Sequence, residues 1–163
     1  MSIEEIIALL SARPAAPLVP QTIYDPALSA RILACECSDA LKAGLLLWND
    51  DLDASHRLSQ QINTPTGSYW HAIMHRREPD YWNSKYWFHQ TGRHPALAEV
   101  GRRASRLLDD VAWLHNSRYD PFAFVDACEA AAQGGSDTTA LQAFQQLEIK
   151  VLIEYTRSEG RDA

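Results

Sequence analysis

Cysteine is scarce and odd in number, at positions Cys35, Cys37 and Cys128. Cys35-x-Cys37 has the spacing of neither a C-x-x-C redox pair nor a zinc ribbon, so free, buried thiols in a reducing compartment are expected. Long apolar runs are also missing. The acidic start M-S-I-E-E-I-I-A-L-L is too short in its apolar part for a secretory signal or a membrane span. No run of Val, Ile and Thr bounded by turns occurs, and no strand-like alternation, which argues against a sheet domain. There is no nucleophile elbow, no glycine-rich phosphate loop and no Ser/His/Asp set in a recognisable context. A net charge of −6 argues against a general nucleic-acid binder. The expectation is a cytoplasmic protein with no membrane or nucleic-acid partner.

What the chain has in quantity is helix punctuation. Ser2 with Glu5 reads as a capping box for a first helix ending near Leu10. Pro14, Pro17 and Pro20 make residues 13–23 an extended strap. Asp25-Pro26 opens a helix to about Cys35, Ser38 one to about Trp48, and Asp51 one to about Ile62. Residues 63–67 read as a loop. Helices to Glu78 and from Asp80 to Thr91 follow, separated by Pro79 and closed by Gly92. Pro95 opens a long helix to about His115, with Leu97, Val100, Ala104, Leu107, Leu108, Val111 and Leu114 on one face. Asp120-Pro121 starts a helix to about Gln133. After Gly134-Gly135, Ser136 or Asp137 caps a last helix to about Ser158, with Leu141, Phe144, Val151, Leu152 and Tyr155 on its core face. A single all-α domain over residues 1–163 is expected, with about seven to nine helices arranged as antiparallel hairpins, either tetratricopeptide-like or a bundle.

A weak repeat supports the hairpins. Asp51-Leu52-Asp53-Ala54-Ser55 lies over Asp80-Tyr81-Trp82-Asn83-Ser84 at an offset of 29 residues. Each stretch opens the second helix of a pair within residues 38–95, and each carries a serine where two helices must approach closely. The spacing resembles a tetratricopeptide-type hairpin, although Pro79 stands where that family's turn glycine would be. Burial of Tyr81, Ser84 and Phe88 is expected, with Ser84 at the close approach.

The chemistry is concentrated between Trp48 and Pro95, which hold eight of fifteen aromatics and five of six histidines. On a helix, His71, His75 and Glu78 share a face opposite Tyr69, Trp70 and Ile73. His-x3-His places two imidazoles one turn apart, so His71, His75 and Glu78 form a candidate N,N,O half-site for a divalent transition metal. The arrangement is not H-E-x-x-H, because Ala72 holds the glutamate's place. A further ligand must come from another helix, with His56 and Asp53 the nearest candidates. Alternatively these groups pair with Arg76, Lys85 or backbone, or face water.

Trp82 and Tyr86 lie on a second side of the next helix, as core or as ligand contacts. Residues 71–118 carry eight Lys/Arg against five acids, +3, while seven against sixteen elsewhere give −9. Arg76, Arg77, Lys85 and Arg93 fall beside the aromatics, so a small anionic molecule or an acidic peptide is a possible partner. The candidate ligand-binding set is therefore His71, His75, Arg76, Glu78, Trp82 and Tyr86, with a pocket touching at least two of His71, His75, Trp82 and Tyr86. Two functions compete. One is a helical binding or scaffold module for a small molecule or peptide. The other is a metal-dependent or histidine-dependent enzyme centred on His71, His75 and Glu78.

The stretch H-A-I-M-H-R-R-E-P-D-Y-W-N-S-K-Y-W-F, followed by Gly92 and His94-Pro95, resembles a pattern in a family of uncharacterised bacterial and fungal proteins. The upstream L-W-N-D-D-L-D-A-S-H, Leu47 to His56, is similar to the same family. The resemblance implies that these stretches form one unit and assigns no role to any residue.

Overall fold

The computed structural model describes residues 1–134 and 137–160. Among them, nine helices alternate with short turns: α1 (Ile3–Ala12), α2 (Pro26–Ala34), α3 (Asp39–Trp48), α4 (Leu52–Ser59), α5 (Pro65–Arg77), α6 (Tyr81–Thr91), α7 (Pro95–Ala104), α8 (Pro121–Gln133) and α9 (Thr139–Glu159). The fold is all-α, and no described helix is long and apolar enough to cross a membrane. The caps explain most of the starts. Side chains of Ser2, Asp25, Ser38, Asp51, Thr64, Asp80 and Asp120 each accept a backbone N–H in the first turn that follows. His94 does the same for Ala96 through Nδ1. Proline occupies the first position of α2, α5, α7 and α8, where its missing N–H costs nothing. Ser136, one of two candidate caps for α9, lies outside the described residues. The other, Asp137, accepts from Thr139 N at 2.9 Å.

Helices α3/α4 and α5/α6 are two hairpins built the same way. Asp51 N donates to Leu46 O at 3.0 Å, and Asp80 N donates to His75 O at 2.8 Å. Both bonds close the turn after the first helix, and the aspartates then cap the second. The turns differ at one residue. Asp50 has φ +64°, a conformation that Pro79, at the matching position, cannot adopt. Ser84 is fully buried and Phe88 nearly so, whereas Tyr81 is only half-buried, because it packs at the edge where α6 meets α8.

Helix α5 sits at the centre, with α3, α4 and α6 around it, and all its residues from Thr66 to Arg77 are buried. The expected division into an apolar and a histidine face therefore describes direction, not exposure. Trp70 packs on Gly44 of α3 so closely that a Cβ there would lie 2.5 Å from its ring. Its indole N–H donates to Thr156 of α9 at 3.2 Å. The strap is tied down by arginines. Arg13 donates to Trp48 O and Asp50, and Arg77 donates to Leu47 O, Pro17 O and Asp50, each within 2.9 Å.

Two boundaries differ from the sequence reading. The loop expected over 63–67 is already helical from Pro65, so α4 ends earlier, at Ser59. The long helix expected from Pro95 to His115 stops at Ala104. Beyond it a two-residue ladder pairs β1 (Leu114–His115) with β2 (Arg118–Tyr119), antiparallel, around Asn116 and Ser117 at φ +49° and +60°. Two consecutive positive φ values form the tight hairpin turn that asparagine tolerates well. The apparent helical stripe accordingly breaks: Leu107 is 74% exposed, and Leu114 is buried from a strand.

Candidate metal centre

Three histidines from two helices converge beside the α5/α6 turn. His56 is in the last turn of α4, and His71 and His75 lie one turn apart on α5. Asp51 fixes the start of α4, and Thr64 with Pro65 fixes that of α5, so packing of these two helices sets the ring positions. Ring centroids are 4.7 Å apart for His71–His75, 4.8 Å for His56–His71 and 5.2 Å for His56–His75. One nitrogen from each ring lies within 4.8 Å of the other two. Tetrahedral zinc with ligands at about 2.0–2.1 Å needs nitrogens about 3.3 Å apart, a separation within reach of small side-chain rotations.

His71 is the informative member. It is 3% exposed, and neither Nδ1 nor Nε2 has a hydrogen-bond partner among the described residues. A neutral imidazole carries one donor and one acceptor, and leaving such groups buried and unpaired costs about 1–3 kcal/mol each. Trp87 of α6 stacks on the ring at 4.0 Å between centroids and 23° between planes, which closes that side against water. Burial, then the nearby His75 and His56, push its pKa down to about 3. The ring is therefore neutral at physiological pH, with a lone pair that meets no hydrogen-bond donor among the described residues.

Its neighbours are conditioned differently. His75 Nδ1 lies 2.7 Å from Glu78 Oε1 and 3.9 Å from Asp80 Oδ2. A carboxylate behind Nδ1 holds the proton there and leaves Nε2 as the lone-pair nitrogen. Burial lowers the His56 pKa, His75 adds to that, and Glu78 and Asp53 oppose it. Both carboxylates thus lie in the electrostatic field of the cluster, and both reach solvent. His75, Glu78 and Asp80 form a second close group of possible ligand atoms.

The sequence-selected residues divide. His71 and His75 are together, with His56 as the third nitrogen donor. Glu78 stands behind His75 instead of beside it. Asp53 is on the exposed side of α4, one turn before His56. Arg76 is corrected outright. It points into the core, 1% exposed, and donates to Glu148 Oε2 at 2.7 Å, where Tyr69 and Tyr119 also donate to that carboxylate. A guanidinium on the far side of α5 from the histidines cannot rim their cleft. Arg77 is likewise buried on Asp50, and Lys85 pairs with Asp126. Trp82 and Tyr86 are exposed, stacked at 6.2 Å between centroids.

None of the five cavities delineated among the described residues is lined by His71, His75, Trp82 or Tyr86, so the pocket expected to touch two of them is not among these five. Trp87 was not among the candidate site residues, although its place on the side of the helix with Tyr81, Ser84 and Phe88 is legible in the sequence and is the side that closes on α5. The remaining histidines are structural or peripheral. His94 caps α7 and bonds Thr66, and His115 pairs with Asp110 at the surface.

No protein-family model, curated protein or solved structure matches this chain.

Proposed function

We propose that this protein is a metal-dependent enzyme whose centre is a divalent transition-metal ion on His56, His71 and His75. The observation that carries this reading is the His71 ring, buried with both nitrogens unpartnered and placed against two other imidazoles. Three protein nitrogens leave a fourth position for water or substrate, the arrangement typical of catalytic rather than closed structural zinc. Neutral imidazoles leave the ion its full double charge, which brings bound water to a pKa of about 7. An ion held by His56, His71 and His75 would supply Lewis-acid activation of water, the chemistry of a hydrolysis or hydration. Glu78 orients His75, and Asp53 adds negative potential that favours a cation near His56.

The scaffold in this proposal is a pair of hairpins similar to tetratricopeptide units, and the stretches Leu47–His56 and His71–Phe88 both supply histidines to it. A cytoplasmic setting fits the three free thiols. The competing reading is a binding module for a small molecule or acidic peptide. It draws on exposed Trp82 and Tyr86, but three of its four basic groups, Arg76, Arg77 and Lys85, are already paired, which leaves Arg93.

The test is metal content of the purified protein, followed by chelation and titration with Zn²⁺ and Co²⁺. One ion per chain, with loss of binding in His71→Ala, is expected. At a free zinc concentration about 100 times Kd, binding adds about 2.7 kcal/mol of stability. No stoichiometric metal and no zinc-induced rise in Tm would end the proposal.

A further inference from the structure

We propose that the cavity between the α6–α7 turn and the β1/β2 hairpin binds a small phosphate monoester through Arg93 and Arg118. The site is separate from the three-histidine centre and does not depend on the metal reading above.

The cavity encloses about 460 Å³, a volume typical of small-molecule sites. Residues 92–95 with Leu97 and Ala98 form one wall, and residues 117–119 form the other. It exists because the chain turns back after Ala104. Ser117 O packs on α7 at Gly101, where a Cβ would lie 2.3 Å from it. That contact sets β2 beside the start of α7 and brings Arg118 to the same cavity as Arg93. Both backbones are anchored. Arg118 pairs with His115 in the ladder. Arg93 stands between Gly92, at φ +62°, and His94, whose ring bonds Thr66 and Ala96 N. Their side chains are exposed. Seven other Lys and Arg side chains are held by carboxylates. Among the described residues, Arg93 and Arg118 have no such partner, so both guanidinium groups are free to take a ligand.

The lining identifies the ligand class. No Asp or Glu lines this cavity. Each of the other four delineated cavities has a carboxylate in its wall: Asp120, Glu78, Glu5 and Glu36 respectively. In a chain of net charge −6, this is the one of the five where an anion meets cations alone. The first turn of α7 adds the positive end of a helix dipole. A guanidinium binds oxyanions through a planar fork, and a carboxylate fills one fork. Two forks at one cavity match the double charge and the three free oxygens of a phosphate monoester. Pro95, Leu97 and Ala98 give the remaining wall an apolar surface, which receives the carbon body of the ester.

The experiment is calorimetric titration of the full chain with phenyl phosphate, inorganic phosphate and benzoate, each with and without EDTA. Saturable binding of one phenyl phosphate per chain is expected, tighter than either comparison and unchanged by EDTA. Arg93→Met and Arg118→Met are each expected to weaken it roughly tenfold. Both side chains are exposed, so both variants should keep the parent Tm, which is measured alongside. Absence of saturable phenyl phosphate binding overturns the proposal. So does binding that both arginine variants leave unchanged, or a preference for benzoate or inorganic phosphate. Binding abolished by EDTA would place the phosphate on a metal ion, which overturns this site and leaves the metal reading standing. Failure of the chain to bind zinc overturns the histidine centre and leaves this site untouched.

Discussion

Ser84 donates its hydroxyl proton to the carbonyl of Ala72 across 2.7 Å, joining α6 to α5 at their closest approach. Twenty-nine residues earlier Ser55 does the same to Ala43 across 2.8 Å, joining α4 to α3. Each hydroxyl is buried, and each accepting residue stands twelve positions before its donor. A serine is small enough for two backbones to meet, and its proton satisfies a carbonyl that already serves its own helix. The same spacing sets the rings of the candidate centre, because closing α6 on α5 at Ser84 lays Trp87 over His71.

Ser84→Trp is therefore expected to destabilise the fold by about 1–3 kcal/mol through overpacking. Ser84→Ala, which loses only the hydrogen bond, is expected to cost about 0.5–1.5 kcal/mol. Urea unfolding of the three proteins measures both. Equal midpoints for Ser84→Trp and the parent would show that the helices do not close there.

The buried Arg76–Glu148 pair makes a sharper demand. Both side chains are within 1% of full burial, and Tyr69 and Tyr119 donate to the same carboxylate. Removing one partner leaves the other charge in the core, at a cost of about 3–5 kcal/mol. Arg76→Met should thus unfold far more easily than Arg93→Met, whose site is exposed in the turn between α6 and α7. Under the opposite assignment, with Arg76 at a ligand rim, Arg76→Met would leave stability unchanged.

Much of this was legible from caps and spacing. Asp51, Asp80, Ser84 and the proline starts are local signals, read within one turn of chain, and they placed both hairpins. His71 and His75 were likewise legible as a pair, since i and i+4 on a helix always face together. Partner choice across helices was not legible. Arg76 and Arg77 are adjacent, and only the positions of Glu148 and Asp50 in three dimensions show that both point inward. Glu78 shares an arc with the histidines, yet at the helix end its carboxylate turns back to Nδ1 of His75. The stretch after Ala104 misled for a related reason. Leu107, Leu108, Val111 and Leu114 keep a helical period by chance, while Asn116-Ser117 imposes a turn.

Acid should weaken the metal-free protein. His71 is held at a pKa of about 3 and His94 at about 4, both by burial first. In the unfolded chain each returns to about 6.5. Below pH 6.5 the unfolded state binds protons that the folded state refuses, so stability falls as pH drops, until it levels near pH 3 to 4. Above pH 6.5 neither residue contributes a slope. His56, lowered by burial and by His75, adds to the same slope, and His71→Leu removes one of these three groups and should flatten the decline measured by urea unfolding between pH 7 and pH 4. An unchanged slope would mean that the folded protein does not hold the His71 pKa below its unfolded value.

Glu78 offers the most selective test of the centre. Its carboxylate is 2.7 Å from Nδ1 of His75, and its side chain is about one-third exposed. Glu78→Gln retains an acceptor of the same shape and removes the charge, so the ring stays oriented but loses the basicity that a carboxylate lends it. Zinc affinity is expected to fall about 10- to 100-fold, as for other carboxylates that support a ligand histidine. Stability of the metal-free protein should change by no more than about 1 kcal/mol, because Gln keeps an acceptor for the part-buried bond. Asp53→Asn acts only through space and should cost less affinity than Glu78→Gln. Competition against a chromophoric chelator gives both affinities. If zinc binds both variants as tightly as the parent, the ion is not on His75, and a site built from the other two histidines would have to be sought.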